Sequence, residues 1–135
     1  MTVCVHLCRG NAGHGQASGG YDPIAERLFQ ETDADGFFLE YDTPRAGTFT
    51  PLRFVPKHKS IVLGLISSKT PVLEDKSVLH RRIEEATRHV ALDRLAVSPQ
   101  CGFASVDTGN PVTPEIQKAK LRLVVELANE IWGAA

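Results

Sequence analysis

Residues Ser60–Ile66 read Ser-Ile-Val-Leu-Gly-Leu-Ile, an almost unbroken apolar run. A short run of this composition predicts a β-strand. Because its apolar residues occupy neighbouring positions rather than alternating ones, both faces of that strand should be covered. Residues Gly36–Glu40, Gly-Phe-Phe-Leu-Glu, follow the same pattern. Strands covered on both faces are typical of parallel sheets flanked by helices, so these two stretches indicate an α/β fold.

Weaker strand patterns lie nearer the two ends of the sequence. Residues Thr2–Cys8 alternate apolar side chains with Cys4, His6 and Cys8, which predicts a strand. A fourth, short strand is predicted at Leu95–Val97. The sequence therefore contains two strong and two weaker strand patterns.

Helical patterns separate these strands. The first helix is predicted to begin with Asp22 as N-cap and Pro23 at its first position, and to run to about residue 30. The second is predicted to begin near Asp75. The third is predicted to run from its N-cap Thr113 to Gly133, which ends it. Strands joined by such crossovers pair in parallel, so the predicted fold class is α/β, a parallel (βα)4 unit.

The composition limits the classes of partner. The 135 residues include 15 Lys and Arg against 16 Asp and Glu, for a net charge of -1. This balance argues against binding to nucleic acid or to an anionic membrane. No apolar run approaches the roughly 18–20 residues of a membrane span, and the first residues lack the layout of a signal peptide. Three unevenly spaced cysteines do not suggest a disulfide framework, so we expect a cytoplasmic protein with reduced thiols.

Metal-ligating residue types occur at the carboxyl ends of three predicted strands. His6 and Cys8 share one face of the first strand, Glu40 ends the second, and Cys101 follows the fourth. The carboxyl ends of parallel strands meet at one edge of a sheet, where sites are built in these folds. An imidazole, two thiols and a carboxylate suit Zn²⁺. The pattern alone leaves two interpretations open: a metal site, or side chains that pack in the core, as we expect for Cys4.

Three segments are similar to a known family. Val5–Cys8 (Val-His-Leu-Cys), Phe38–Asp42 (Phe-Leu-Glu-Tyr-Asp) and Ser98–Phe103 (Ser-Pro-Gln-Cys-Gly-Phe) resemble the C-terminal catalytic domain of cobalamin-independent methionine synthase. That family has a His-x-Cys pair, a later Glu after a strand, and a Cys in a Pro-x-Cys-Gly turn. Cys8–Asn11 and Leu121–Gly133 look like the short bacterial members of the superfamily. The resemblance extends over essentially the whole chain.

The resemblance implies a zinc-dependent transfer of a methyl group to a thiol, with homocysteine as acceptor and methionine as product. It implies zinc ligands at His6, Cys8, Glu40 and Cys101. A thiol bound to zinc has a pKa below its free value of about 8.5 and is therefore a thiolate. Three negative ligands weaken the attraction between the metal and that thiolate, which stays nucleophilic enough to attack a methyl carbon. We expect the Glu40 carboxylate to yield its place to the substrate sulfur.

One position departs from the family pattern. Methionine synthases have an Asp-x-His-Ser run whose histidine donates a proton, and Ile66 stands at the position of that histidine. The methyl donor therefore stays open between methyltetrahydropteroyltriglutamate and the other substrates of the superfamily, which include corrinoid-bound methyl groups, coenzyme M and epoxides. The loop residues Asn11 and Arg45 are candidates for binding an anionic group of the substrate.

Length adds a further expectation. A complete (β/α)8 (TIM) barrel takes roughly 250 residues, whereas this sequence of 135 residues has four predicted strands. Residues 1–135 are therefore predicted to form one domain, the C-terminal (βα)4 half of a TIM barrel. Substrate-binding groups of the other half would be absent, so a zinc-binding fragment without activity of its own is the alternative to an active enzyme. Unpaired strand edges also predict self-association, or a partner chain that completes the barrel.

Overall fold

The structure, a computed structural model, describes residues 1–10, 18–104 and 107–133. The strands and helices follow one another as β1 (Cys4–Leu7), α1 (Ala25–Glu31), β2 (Gly36–Glu40), β3 (Ser60–Ile66), α2 (Lys76–Thr87), β4 (Leu95–Pro99) and α3 (Pro114–Trp132). Three short 3-10 turns lie in the connections, at Pro44–Ala46, Thr50–Phe54 and Leu92–Arg94. Within the described residues, no helix combines the length and the apolar character that crossing a membrane requires.

The four strands form one sheet in the order β1-β2-β3-β4, and every neighbouring pair is parallel. One row of residues shows the register: Val5 lies opposite Phe37, Phe37 opposite Ile61, and Ile61 opposite Leu95. All four carboxyl ends therefore meet at one edge of the sheet. The predicted fold class, α/β with the parallel (βα)4 topology of half a TIM barrel, is confirmed.

The hydrophobic core lies between one face of the sheet and the helices. Phe37, Ile61 and Leu63 point to this side and are fully buried, together with Phe29 of α1 and Leu127 of α3. Burying aliphatic and aromatic side chains of this size supplies most of the free energy that holds helices on a sheet. The core therefore fixes the strand positions, and with them the edge where the strands end.

The opposite face of the sheet, here called the lumen face, is not covered by the described residues. It carries Cys4, His6, Phe38, Val62 and Ala96, which are half-buried or exposed. Phe38, for example, keeps 37% of its surface exposed. The expectation that both faces of these strands would be covered is therefore wrong for the described part of the chain. The assignment of Cys4 to the core is also wrong, since its side chain is exposed on this face.

Two of the three predicted helix starts are confirmed. The Asp75 carboxylate accepts the first backbone N–H groups of α2, and the Thr113 hydroxyl accepts one from α3. The start of α1 differs, because Ile24 occupies its N-cap position and makes no side-chain cap. Asp22 instead pairs with Arg53 at 3.4 Å, so its carboxylate serves a tertiary contact rather than a helix end.

Candidate metal centre

The structure brings the four predicted ligands together. His6 lies in β1 and Cys8 directly follows it, Glu40 ends β2, and Cys101 lies two residues beyond β4. One ligand atom from each side chain, a ring nitrogen, two sulfurs and a carboxylate oxygen, lies within 4.8 Å of the others. Residues up to 95 positions apart in sequence therefore meet because their strands end at one edge of the same sheet.

The side chain of Glu40 is buried and held in a defined orientation. Its Oε2 accepts a hydrogen bond from the backbone N–H of Arg9 at 3.0 Å. Its Oε1 is buried without a hydrogen-bond partner among the described residues and lies 3.9 Å from Nε2 of His6. A buried carboxylate oxygen without a partner is costly unless a cation or donor meets it. One oxygen of Glu40 is thus fixed by the protein, and the other is available to a metal.

Tyr21 positions the backbone of Glu40, a role that sequence reasoning missed. The Tyr21 hydroxyl accepts a hydrogen bond from the Glu40 N–H at 2.9 Å and donates one to the Glu40 carbonyl at 3.2 Å. Burial raises the pKa of Tyr21 to about 12, so the hydroxyl keeps its proton and can act as donor and acceptor at once. The end of β2 is therefore anchored to the loop before α1.

Arg9 is a second residue that supports the centre. Its side chain is 7% exposed, stacks over the Tyr21 ring at 5.3 Å, and donates to the backbone carbonyls of Gly19 and Arg45. Its backbone N–H meanwhile orients Glu40. A buried arginine that joins the connection between β1 and α1 to the connection between β2 and β3 is a structural support for the centre. No pattern in the sequence distinguishes it from an exposed loop arginine.

The two thiols are close enough to share one ion. The sulfurs of Cys8 and Cys101 are 3.5 Å apart, and the backbone N–H of Gly10 approaches the Cys8 sulfur at 3.4 Å. Burial, followed by the nearby Cys8 and Glu40 side chains, raises the pKa of Cys101 to about 12. A dication at this position reverses that effect, because it favours the thiolate.

The donor set and its spacing fit zinc. Structural and catalytic zinc sites use histidine nitrogen, cysteine sulfur and carboxylate oxygen in tetrahedral arrangement. Two sulfurs on one tetrahedral zinc, each at about 2.3 Å, lie roughly 3.8 Å apart, close to the 3.5 Å between Cys8 and Cys101. The unpaired Oε1 of Glu40 supplies the oxygen ligand. The residues present are therefore suitable for Zn²⁺.

A cavity of about 190 Å³ adjoins three of the four ligands. His6, Glu40 and Cys101 line one part of it, and Phe38, Gly64 and Gln100 line the rest. Gly64 matters here because a Cβ at this position would lie 3.0 Å from the Leu39 carbonyl oxygen. The absence of a side chain lets β2 and β3 approach closely beside Glu40.

Comparison with known protein families shows to which family the chain belongs. The family model of the cobalamin-independent synthase catalytic domain matches residues 18–130. The chain belongs to this family. The matched range contains Glu40 and Cys101, while His6 and Cys8 lie before it.

Similar proteins cover nearly the whole chain. The Bacillus subtilis (strain 168) proteins YxjG and YxjH, both described as uncharacterized, are each 53% identical over 134 residues, or 98% of this chain. A solved Listeria monocytogenes structure, described as a candidate vitamin-B12-independent methionine synthase, is 43% identical over 99% of this chain with a TM-score of 0.71. The chain spans 35% and 36% of the two B. subtilis proteins and 36% of the Listeria chain.

A more distant structure shares the fold. A B12-independent methionine synthase from Shewanella sp. W3-18-1, solved in complex with selenomethionine, is 19% identical to 97% of this chain, with a TM-score of 0.75. The chain covers 38% of that structure. The arrangement of strands and helices is therefore retained in this family while most side chains differ.

The remaining predicted site residues have different outcomes. Arg45 is half-buried in a 3-10 turn, where its carbonyl accepts from Arg9, and it is not among the metal-ligating side chains. Its role in substrate binding stays a prediction, as does that of Asn11, which lies outside the described residues. Ile66 is fully buried at the end of β3. In this member of the family, that strand therefore ends in an apolar side chain that cannot donate a proton.

Proposed function

We propose that the chain supplies the zinc site of an enzyme that transfers a methyl group to the thiol of homocysteine and so forms methionine. The observation that carries this proposal is the meeting of four ligand atoms within 4.8 Å, one of them a buried carboxylate oxygen without a hydrogen-bond partner in the described part of the chain. Membership of the cobalamin-independent synthase family supports it.

Each residue has a defined task in this proposal. His6, Cys8 and Cys101 would hold the ion, and Glu40 would be the ligand that the substrate replaces, since a carboxylate is more easily replaced than a thiolate. Bound zinc supplies the charge that keeps the substrate thiol deprotonated and positioned. During the transfer the S–C bond forms while the bond between the methyl carbon and its donor breaks, and the donor leaves with the electron pair.

Ile66 favours a second candidate for the methyl donor. A leaving pterin nitrogen needs a proton, and the side chain at the end of β3 cannot supply one. A corrinoid leaves with the electron pair of the cobalt–carbon bond and needs no proton. The second candidate therefore keeps the site and the thiol and replaces the folate donor by a methylated corrinoid.

A thiol-depletion assay tests both candidates. The zinc-loaded chain, alone and together with the remaining segment of a longer relative, is incubated with homocysteine or coenzyme M and with either methyl donor. We expect loss of homocysteine and gain of methionine, abolished by Cys101→Ser. Turnover only with the added segment would identify the chain as a fragment that needs completion. No thiol methylation with any pair of substrates, at full zinc occupancy and with the added segment, would refute the proposal.

A further inference from the structure

Gln100 is a buried polar side chain that the proposed zinc chemistry does not use. It directly precedes Cys101, is 7% exposed, and lines the cavity beside the zinc ligands. Its backbone N–H donates to the carbonyl of Ile66 at 3.0 Å, which fixes its position at the end of β3. The side chain is therefore held at the wall of the cavity by the sheet itself.

Within the described residues, both ends of the Gln100 amide lack hydrogen bonds. Neither Oε1 nor Nε2 has a partner among the described residues. Whichever of the two atoms is oxygen and whichever is nitrogen, both positions are unpaired among the described residues. Ser98, the neighbouring polar residue of the cavity wall, differs because its hydroxyl donates to the Pro99 carbonyl at 2.8 Å.

A buried amide with an unpaired donor and an unpaired acceptor matches a ligand that offers both. The Nε2–H groups can donate to a carboxylate, and Oε1 can accept from an ammonium group. An α-amino acid carries the two groups on one carbon, whereas a sulfonate offers acceptors only. The amide therefore has the chemistry to distinguish a thiol amino acid from a thiol sulfonate.

We propose that Gln100 is a specificity-determining residue that binds the amino acid end of the thiol substrate while the sulfur is at the zinc site. This inference rests on the proposed function and narrows its substrate to aliphatic thiols that carry an α-amino acid group. In this proposal the amide of Gln100, and not the metal ligands, distinguishes such thiols from coenzyme M.

Binding of thiols to the cobalt-substituted chain tests the inference without turnover. Cys8 and Cys101 would already give Co²⁺ a sulfur charge-transfer absorption, and a bound thiol would increase it, so the Kd of each thiol is obtained from that increase. The probes are homocysteine, 4-mercaptobutyrate, 3-mercaptopropylamine, coenzyme M and 1-propanethiol. We expect Gln100→Leu to weaken the binding of homocysteine roughly tenfold, the usual effect of removing the partner of a buried polar group. The affinity for 1-propanethiol should stay unchanged.

Two further variants make the result specific. Gln100→Glu keeps an acceptor and loses the donor. The variant should therefore keep its affinity for 3-mercaptopropylamine and bind 4-mercaptobutyrate more weakly. Ser98→Ala is the matched control on the same wall and should leave all five affinities unchanged. An equal loss for every thiol, or no loss for any in either Gln100 variant, would overturn the inference about Gln100 alone. If the unaltered chain binds no thiol at its cobalt site, the proposed function fails as well.

Discussion

At the scale of single residues, Tyr21 connects the fold to the metal centre. Its hydroxyl forms two hydrogen bonds with the backbone of Glu40, which in turn presents Oε1 to the other ligands. We expect Tyr21→Phe to lower the free energy of unfolding by about 1–3 kcal/mol, because buried backbone groups of Glu40 lose their partner. We also expect about a tenfold loss of zinc affinity, as is usual when a group that orients a ligand is removed. Chemical denaturation and competition with a chromogenic chelator measure these effects.

Tyr41 provides the matched control for that substitution. Its ring is fully buried, 5.2 Å from the Tyr21 ring, but its hydroxyl has no hydrogen-bond partner among the described residues. Removing an unpaired buried hydroxyl costs no hydrogen bond, so Tyr41→Phe should be neutral or stabilising. Equal stability of the two variants would show that the hydrogen bonds of the Tyr21 hydroxyl do not support Glu40.

The ligands could be anticipated from sequence, whereas their supports could not. His6, Cys8, Glu40 and Cys101 are rare residue types at strand ends, and the parallel topology brings those ends together. Tyr21 comes from a loop in which nothing in the sequence indicates a contact with the end of β2. The supporting contacts depend on loop paths, which hydrophobic periodicity does not determine.

At the scale of elements, Gly64 sets the spacing between β2 and β3 beside the centre. An added Cβ would lie 3.0 Å from the Leu39 carbonyl and 3.5 Å from the Glu40 Cα, both backbone atoms that cannot rotate away. We expect Gly64→Ala to destabilise the fold by about 1–3 kcal/mol, as overpacking does, and to weaken zinc binding by displacing Glu40. Thermal unfolding with and without zinc measures both effects.

Ser60→Ala is the control at the exposed, opposite end of the same strand. A surface change of this kind should stay within about 0.5 kcal/mol. If Gly64→Ala unfolds at the same temperature as the unaltered chain and binds zinc equally well, the close approach of the two strands does not support the centre.

Lys120 joins α3 to the loop that follows β3. Its fully buried Nζ donates to both carboxylate oxygens of Glu74, at 3.0 and 3.1 Å, and to the Val72 carbonyl at 2.5 Å. Glu74 also accepts the backbone N–H of Ser67 at 2.8 Å. We expect Lys120→Met to destabilise the chain by roughly 3 kcal/mol, because Glu74 loses its cation in a mostly buried position. Urea denaturation provides the measurement.

Lys118→Met serves as the comparison because Lys118 is exposed on the same helix. It should change stability by less than about 0.5 kcal/mol. If Lys120→Met lowers the free energy of unfolding by no more than this, the buried ion pair contributes nothing beyond apolar packing. Some buried ion pairs behave in this way.

Prediction of the elements succeeded where a local pattern was sufficient. The bounds of β2 and β3 agree with the predicted ranges, because the apolar runs end at polar residues on both sides. The N-caps Asp75 and Thr113 were likewise predictable, since their side chains bond within their own helices. The N-cap of α1 was not, because Asp22 forms a tertiary contact with Arg53.

At the scale of the whole molecule, the lumen face and two sheet edges are not covered by any residue that the structure describes. Among the described residues, β1 and β4 each pair on one side only, and Phe38 of the lumen face is 37% exposed. Unpaired parallel edges and exposed aromatic surface favour association. We therefore expect self-association at micromolar concentration, or a partner chain that completes the barrel, and sedimentation velocity measures it.

Two charged substitutions locate the associating surface. Phe38→Glu, on the lumen face, should reduce association, whereas Val125→Glu, at a 58% exposed position of α3, should not. A monomer at micromolar concentration would contradict self-association. Reduction of association by Val125→Glu alone would place the interface on the helices instead.

The half-barrel could be inferred from the number of strands and the resemblance, but what covers it could not. Residues on the lumen face, such as Phe38 and Val62, have the same apolar character as those facing the helices, so the sequence alone predicts cover on both sides. Cytoplasmic location and the identity of a partner depend on molecules outside this chain and stay predictions.

The zinc content of the purified chain tests the central claim most directly. Protein purified without chelators is analysed for metal and native mass together, for the unaltered chain and for Cys8→Ser, Cys101→Ser and Cys4→Ser. Cys4 is an exposed lumen-face thiol outside the ligand cluster and serves as the control. We predict about one zinc per chain, retained in Cys4→Ser and largely lost in the other two variants. Zinc below about half an equivalent, unchanged by Cys8→Ser or Cys101→Ser, would contradict the account.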